Sequence, residues 1–242
     1  MLSYLDHTEA DPAANIAVDE ALLEWVEESN EENPIEVLRL WEPTTPFVVI
    51  GRASILANEV NEQQCQQRGI PILRRGSGGT AIVTGPGCLM YAVVLSLKKR
   101  PELRMIDAAH RFVLERVAKA ISSCGVDAHC AGTSDVVAGD KKFSGNSMRT
   151  RRESLLYHGT ILLDFDLSLM DCLSKNPPRQ PQYREGRSHS TFVQNLHLPA
   201  EQVKQAMRCA WQAEHDLGEW PKHRVGPLVA ERFGRRDWTF QR

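Results

Sequence analysis

Residues 73–97 read LRRGSGGTAIVTGPGCLMYAVVLSL, and the rest of the chain is best read outward from them. The stretch opens on Arg74 and Arg75, turns through Ser77, Gly78, Gly79 and Thr80, and ends in an apolar run from Cys88 to Leu97 broken only by Ser96. Glycine lets backbone approach a ligand closely. Successive N–H groups in such a turn can form an anion-binding concavity. Two guanidinium groups beside it add fixed charge and paired donors that match carboxylate or phosphate. The apolar run has the composition of a buried strand, which would hold the turn rigidly. The same residues also suit a basic hairpin leading into a buried strand, and this stretch alone does not separate the two readings.

The chain has 242 residues, enough for one large domain or two small ones with a sizeable core. A hydrophobic fraction of 42% and a charged fraction of 25% fit a soluble globular protein. The formal net charge of −2 gives no global electrostatic reason for a nucleic-acid or anionic-membrane partner. The start, MLSYLDHTEADPAAN, is polar and acidic and lacks the pattern of a secretory signal. No apolar stretch is long enough for a membrane span. Cysteines at 65, 88, 124, 130, 172 and 209 form no close pair. This argues against a zinc site or a disulfide framework and for reduced thiols in a cytoplasm.

Periodicity predicts the elements. Asp11–Glu28 reads as a helix capped by Asp11 with Pro12 in its first turn, its inner face carrying Ile16, Leu22, Leu23 and Val26. Glu20, Glu24, Glu27 and Glu28 fall mostly outside. Glu36–Trp41 and Phe47–Ile50 read as strands and Asn58–Arg68 as a helix stopped by Gly69. Arg104–Cys124 is the clearest amphipathic helix. Val126–Val137 is strand-like, Phe143–Arg149 carries a second small-residue loop, and Ser154–Asp164 is a strand containing Gly159. Leu167–Ser174 suits a short helix, 176–190 a long loop, Pro199–His215 a helix, and Pro227–Phe233 a last amphipathic piece. Interleaved strands and helices, with several strands joined by short turns, predict a single mixed α+β domain.

A second motif is GDKKFSG at 139–145. If the turn continues as a strand, Lys141 and Lys142 point to opposite faces, so one can enter a pocket while the other stays in water. Two lysines at a turn also suit a solvated surface. With the Arg-Arg-Gly-Ser-Gly-Gly block at 74–79 and His158-Gly159-Thr160, this motif resembles the three signature blocks of lipoate–protein ligases, whose catalytic domain is shared with biotin ligases and octanoyltransferases. The resemblance extends to Asn15 and Glu20, Gly51-Arg52, Glu59-Val60-Asn61, Thr133-Ser134-Asp135, Tyr183-Arg184, Phe192, Asn195-Leu196 and the pattern from Leu228 to Trp238. It covers essentially the whole chain in order.

The resemblance implies a mixed, mostly antiparallel sheet flanked by helices, in one catalytic domain over 1–242 with no C-terminal accessory domain. It implies activation of lipoate or octanoate by ATP and Mg²⁺ to an acyl-adenylate. The acyl group would then pass to a lysine of a lipoyl carrier, either glycine cleavage protein H or the E2 domain of a 2-oxoacid dehydrogenase. A separate accessory subunit is a further implied partner. Lys142 matches the family's catalytic lysine. Arg74, Arg75, Ser77, Gly78, Gly79, Thr80, Ser144, Gly145, Ser147, His158, Gly159 and Thr160 are implied to line the acyl and nucleotide site, with Gly79 and Gly159 giving room for the chain and Asp135 near metal or phosphates. Read without the resemblance, Asp135 suits a turn-capping carboxylate and His158 a hydrogen-bonded structural histidine.

The chain departs from the family pattern at Thr80, Thr84 and Gly85, at Ala53-Ser54-Ile55 and at Ser147. These changes bear on acyl-chain choice and carrier recognition. Two other readings fit. One is an acyl-carrier-dependent transferase that holds its acyl group as a cysteine thioester, for which Cys130 is the nearest residue to the expected position. The other is a non-catalytic module that binds lipoate or nucleotide.

Overall fold

The computed structural model describes residues 2–29, 34–174 and 180–241. In chain order the elements are β1 (Leu2–Asp6), α1 (Pro12–Glu28), β2 (Glu36–Trp41), β3 (Phe47–Ile50), α2 (Leu56–Glu59), α3 (Glu62–Gln67), β4 (Ile72–Arg74), β5 (Ile82–Thr84) and β6 (Cys88–Ser96). There follow α4 (Ile106–Ser123), β7 (Ala128–Ala131), β8 (Asp135–Ala138), β9 (Lys141–Thr150), β10 (Ser154–Leu162), α5 (His189–Phe192), α6 (Ala200–Trp211) and β11 (His215–Asp216). Short helical turns from Val225 to Thr239 complete the described chain.

The apolar run becomes β6, every residue of which is buried. It lies near the middle of an eight-stranded sheet ordered β11-β1-β2-β6-β10-β9-β8-β7. Only the pairs β11–β1 and β1–β2 are parallel. A strand covered on both faces needs no polar alternation, which is why the run is continuous. One face, with Val37, Trp41, Met90, Ala92 and Val94, shares a core with α1 and with a small sheet ordered β4-β3-β5. The other, with Leu38, Leu40, Tyr91 and Val93, shares a core with α4 and α6. This is the mixed, mostly antiparallel α+β domain expected.

Several local expectations change. The polar-looking start contains β1, whose Leu2, Tyr4 and Leu5 are buried. The helix expected over Asn58–Arg68 is two short ones, because the Asn61 side chain accepts the Gln64 N–H (3.2 Å) and starts a new helix there. Val126–Val137 is the hairpin β7–β8. Phe143–Arg149 is the interior of β9, its small residues lying in the sheet. Glu20 is buried and not on an outer face, because Arg149, Arg151 and Arg232 surround its carboxylate. Residues 176–179 of the expected loop lie outside the described residues, and α5 begins at the end of its remainder.

Arg74 is placed for the fold. Its fully buried guanidinium donates to the carbonyls of Thr239 (2.9 Å), Gly51 (2.9 Å), Arg52 (3.1 Å) and Ser54 (2.9 Å). The Trp238 indole donates back to the Arg74 carbonyl at 2.8 Å. One side chain therefore joins β4, the 51–54 turn and the C-terminal segment, and it points away from the cleft where the resemblance would put it. Removing it leaves buried carbonyls without donors, at about 1–3 kcal/mol each. Arg74→Met is expected to lose about 3 kcal/mol or more of stability in urea unfolding, whereas a midpoint equal to wild type would show that water replaces those donors.

Candidate active site

A cleft of about 490 Å³ opens between the α1-facing side of the large sheet and the small sheet. This is the volume range of small-molecule sites. One part is polar, with Asp135, Lys142, Arg184 and His189. The remainder is apolar, with Ile16, Trp41, Phe47, Val49, Val83, Met90 and Leu162. Gly79, Thr80, Ser144, Gly145, Ser147, His158, Gly159 and Thr160 line it between and around these parts.

Lys142 reaches the cleft because β9 begins at the tight turn after β8. Lys141 is exposed and Lys142 points the other way. Its Nζ is 2.7 Å from Asp135 Oδ1, and Asp135 Oδ2 accepts the Tyr183 hydroxyl at 2.7 Å. Burial and the Asp135 carboxylate both push the Tyr183 phenol upward, so it stays a donor. A Cβ on Gly145 would lie 2.8 Å from the Lys142 Cε and Nζ. The glycine of the KKFSG motif therefore gives the lysine room to fold back over β9.

The 75–80 turn is held with its carbonyls inward. Arg75 Nε and Nη2 donate to Gly78 O (3.1 and 2.6 Å), Nη2 also to Thr80 O (2.9 Å), and Nη1 to Val49 O (3.1 Å). The Ser147 hydroxyl adds a further bond to Gly78 O at 2.8 Å. Gly79 takes a φ of +82°, which a glycine adopts without strain. Among the described residues, the N–H groups of Gly78, Gly79 and Thr80 have no protein acceptor. The donors this turn leaves unengaged are thus backbone amides. Arg75 shapes the turn with donors already engaged. Burial lowers its pKa to about 10, opposed by Glu59, so it remains a cation at neutral pH.

Ser77 and His158 belong to a chain of polar contacts beneath the turn. Arg75 Nε donates to Ser77 Oγ (3.0 Å), and Ser77 Oγ lies 2.7 Å from His158 Nε2. His158 Nδ1 lies 3.1 Å from Asp19 Oδ2, and Asp19 Oδ1 accepts from the fully buried Arg39 at 2.7 Å. The pattern puts the ring proton on Nδ1. Burial alone would raise the Asp19 pKa, but Arg39 and His158 outweigh it and hold the carboxyl below its ordinary value. With both ring nitrogens engaged, His158 ties α1, β10 and the turn together.

Gly159 makes room for a side chain of the protein itself. A Cβ there would lie 1.8 Å from Asn146 Oδ1. Asn146 accepts from the Tyr91 hydroxyl (2.5 Å) and donates to Ser134 O (2.9 Å), so it fills the space expected for an acyl chain. Asp19, Arg39 and Asn146 belong to this site without being marked by any sequence motif, whereas Glu59 falls within the resemblance. Asn15, Asp19 and Arg39, polar residues on core-facing positions, were the available signal. Arg184 lines the cleft, while Arg187 is bonded to Asp140 and Tyr183 O. Cys130 lies exposed on the edge strand β7, and burial and Glu115 push its thiol upward. None of the cysteines lines the cleft among the described residues.

The profile of the lipoyl protein ligase A/B catalytic domain family matches residues 11–212. An Aeropyrum pernix protein named for lipoate-protein ligase A is 31% identical over 92% of this chain and 79% of its own. The octanoyltransferase LipM of Halalkalibacterium halodurans is 22% identical over 99% of this chain and 98% of its own. Three solved structures share the fold. A Thermoplasma acidophilum protein with bound lipoic acid has a TM-score of 0.78 at 20% identity, covering 100% of this chain and 98% of that one. A bi-partite lipoate protein ligase from the same organism, described with its E2 lipoyl domain, has a TM-score of 0.80 at 22% identity, covering 99% and 95%. A lipoate-protein ligase A bound with ATP has a TM-score of 0.76 at 22% identity, covering 99% and 97%.

The depressed Asp19 pKa has a definite sign. Its contribution to stability is present above the ordinary carboxylate range and is lost as pH falls through the lower folded value. Asp19→Asn leaves Arg39 buried without its counter-charge and is expected to cost about 3 kcal/mol at pH 7. In urea titrations at several pH values that deficit should begin to shrink below about pH 4, where the unfolded chain takes up the proton, and go on shrinking until the folded carboxyl protonates at lower pH. A deficit independent of pH would mean that the pair carries no titratable stability.

Proposed function

The chain belongs to the lipoyl protein ligase A/B catalytic domain family, and from that premise we propose that it activates lipoate or octanoate with ATP and transfers the acyl group to a lysine of a lipoyl carrier. The observation that carries this reading is one cleft lined by the Lys142 ammonium and by a turn with unbonded amides, its remainder apolar and with no cysteine in its described lining.

In the first half-reaction a carboxylate oxygen of the acid attacks the α-phosphorus of ATP and pyrophosphate leaves. In the second, the neutral carrier amine attacks the acyl carbonyl, the acyl–phosphate bond breaks, AMP leaves and the amine's proton passes to solvent. Negative charge grows on the phosphate oxygens and then on the carbonyl oxygen. Lys142 and the unbonded amides of Gly79 and Thr80 are held in the cleft lining before substrate arrives, so they would favour those transition states over the ground state. Asp135 and Tyr183 hold the ammonium in place. The apolar walls seat the acyl chain and keep water from the activated acyl group.

Among the described residues no group of three or more His, Cys, Asp or Glu could hold a metal. A Mg²⁺ here would be held mainly by phosphate oxygens, with Asp135, the cleft carboxylate paired to Lys142, as its protein ligand. There it would neutralise phosphate charge. Relatives solved with lipoic acid, with ATP, and as a bi-partite ligase described with an E2 lipoyl domain support the substrate, the nucleotide and the carrier class. The same relative supports residues 1–242 as a catalytic domain that works with a separate accessory subunit. Glycine cleavage protein H or an E2 domain is the proposed carrier, in the cytoplasm. Among the described residues no helix is long and apolar enough to cross a membrane.

The octanoyltransferase relative favours a second reading, transfer from an acyl carrier protein through a thioester. The position of Cys130 on the outer edge of the sheet weighs against it. A mass assay separates them, using the purified protein, apo glycine cleavage protein H or an E2 lipoyl domain, octanoate or lipoate, and Mg²⁺, with and without ATP. A parallel reaction supplies octanoyl-acyl carrier protein. The expected result is an ATP-dependent mass gain that falls by about 10²-fold or more in Lys142→Ala. Cys130→Ser should keep wild-type activity. Gain only from octanoyl-acyl carrier protein, lost in folded Cys130→Ser, would establish the transferase.

A further inference from the structure

Two short elements beside the cleft each turn one residue fully inward, and in both it is a cysteine. Cys65 is the buried residue of α3, whose other side chains are exposed or half-buried. Cys172 is the buried residue of the 3₁₀ turn Leu167–Cys172. The two residues are 107 positions apart in sequence, yet they meet. Cys65 Sγ lies 3.8 Å from Cys172 O, and the two thiols are in side-chain contact. Both are shut off from solvent.

The backbone beside them is paired. Val60 bridges Leu173 antiparallel, the Asn61 N–H donates to Cys172 O at 2.8 Å, and the Ser174 N–H donates to Glu59 O at 2.9 Å. Asn61 also caps α3, so the residue that starts the helix ties it to Cys172. This ribbon is one wall of the cleft. Glu59, Met170, Leu173 and Ser174 line the cleft, and the Glu59 carboxylate accepts the Ala81 N–H at 2.6 Å. Any small apolar side chain could fill the space of a lone buried thiol. Two thiols held together by paired backbone meet the proximity that a disulfide requires.

We infer that Cys65 and Cys172 are a disulfide-forming pair whose oxidation staples this wall of the cleft. The pairing is independent of the acyl-activating reading. The electrons pass to a small-molecule disulfide. One cysteine attacks it as the thiolate, forms a mixed disulfide and releases one thiol. The second cysteine attacks the first cysteine's sulfur and releases the other thiol. Two S–H bonds and one S–S bond thus become one S–S bond and two S–H bonds. Burial pushes both thiols upward, Cys65 to about 12, so neither is a ready nucleophile while α3 is closed. Opening α3 uncovers a single buried side chain, which makes it a low-cost local event. In a reducing compartment the bond would be transient, so the staple responds to redox state.

The test uses the purified full chain carrying Cys124→Ser, Cys130→Ser and Cys209→Ser, which removes the thiols outside the core. It is incubated with oxidised glutathione without denaturant, alkylated, digested and mapped by mass spectrometry. The expected result is one cross-linked peptide joining Cys65 to Cys172. Oxidation should raise the urea midpoint by about 1 M over the reduced protein. It should also slow tryptic cleavage at the exposed Arg68, which ends α3, by about tenfold. Both shifts should vanish in Cys172→Ala, or in Cys65→Ala if that variant does not fold. A folded chain that keeps both thiols, that stops as a glutathione adduct, or that links them only in urea overturns the pair. A link that leaves midpoint and cleavage rate unchanged overturns the staple.

Discussion

The buried guanidinium of Arg39 is the constraint on which the site depends. A cation taken wholly out of water is tolerated only with a counter-charge and a full set of acceptors. Arg39 finds them in Asp19, the Asn15 side chain and carbonyl, and the His7 carbonyl. This locks β2 to α1 and to the segment before it. Asp19 then has one oxygen left for His158, and His158 one nitrogen left for Ser77. The position of the 75–80 turn is thus tied to a charge three contacts away. Both Asp19 oxygens and both His158 ring nitrogens are engaged, so the geometry is over-determined, as a preorganised site requires.

Arginine does two jobs here that lysine could not do. Arg74 and Arg75 use the planar fork to gather several carbonyls at once. Turning carbonyls inward forces the neighbouring amides outward, so Arg75 makes the turn electropositive without presenting its own charge to a ligand. Lys142 has the opposite design. It is a point charge on a flexible stem, held at one end by Asp135 and given room by Gly145. The cleft therefore combines fixed dipoles with one adjustable cation, next to walls that offer no hydrogen bonds. That division suits a substrate with a charged head and an apolar tail.

The elements were largely legible from periodicity. Residues 36–41 and 47–50 are strands as spaced, and the helices at Pro12–Glu28 and Ile106–Ser123 follow their apolar faces. Errors arose where local signals were weak or overridden. β1 is short, and its polar neighbours masked it. The small residues of 143–149 suggest a loop when viewed alone, yet in β9 they leave space for Lys142 and contact the 75–80 turn. Composition could not say which glycines face a ligand. Gly159 faces Asn146, a residue of the same protein.

What the sequence by itself determined is the α+β class, the central buried strand, the family resemblance, and the alternation that separates Lys141 from Lys142. These depend on local spacing, which is a property of the chain read in order. Only the tertiary structure decided which cations serve the fold and which serve the cleft, and that His158 is bonded at both ring nitrogens. It alone placed Cys130 on an outer edge and brought Cys65 against Cys172. Those facts depend on which strands become neighbours and on the burial each side chain then experiences. Both are set by contacts between residues far apart in sequence, which no short motif encodes.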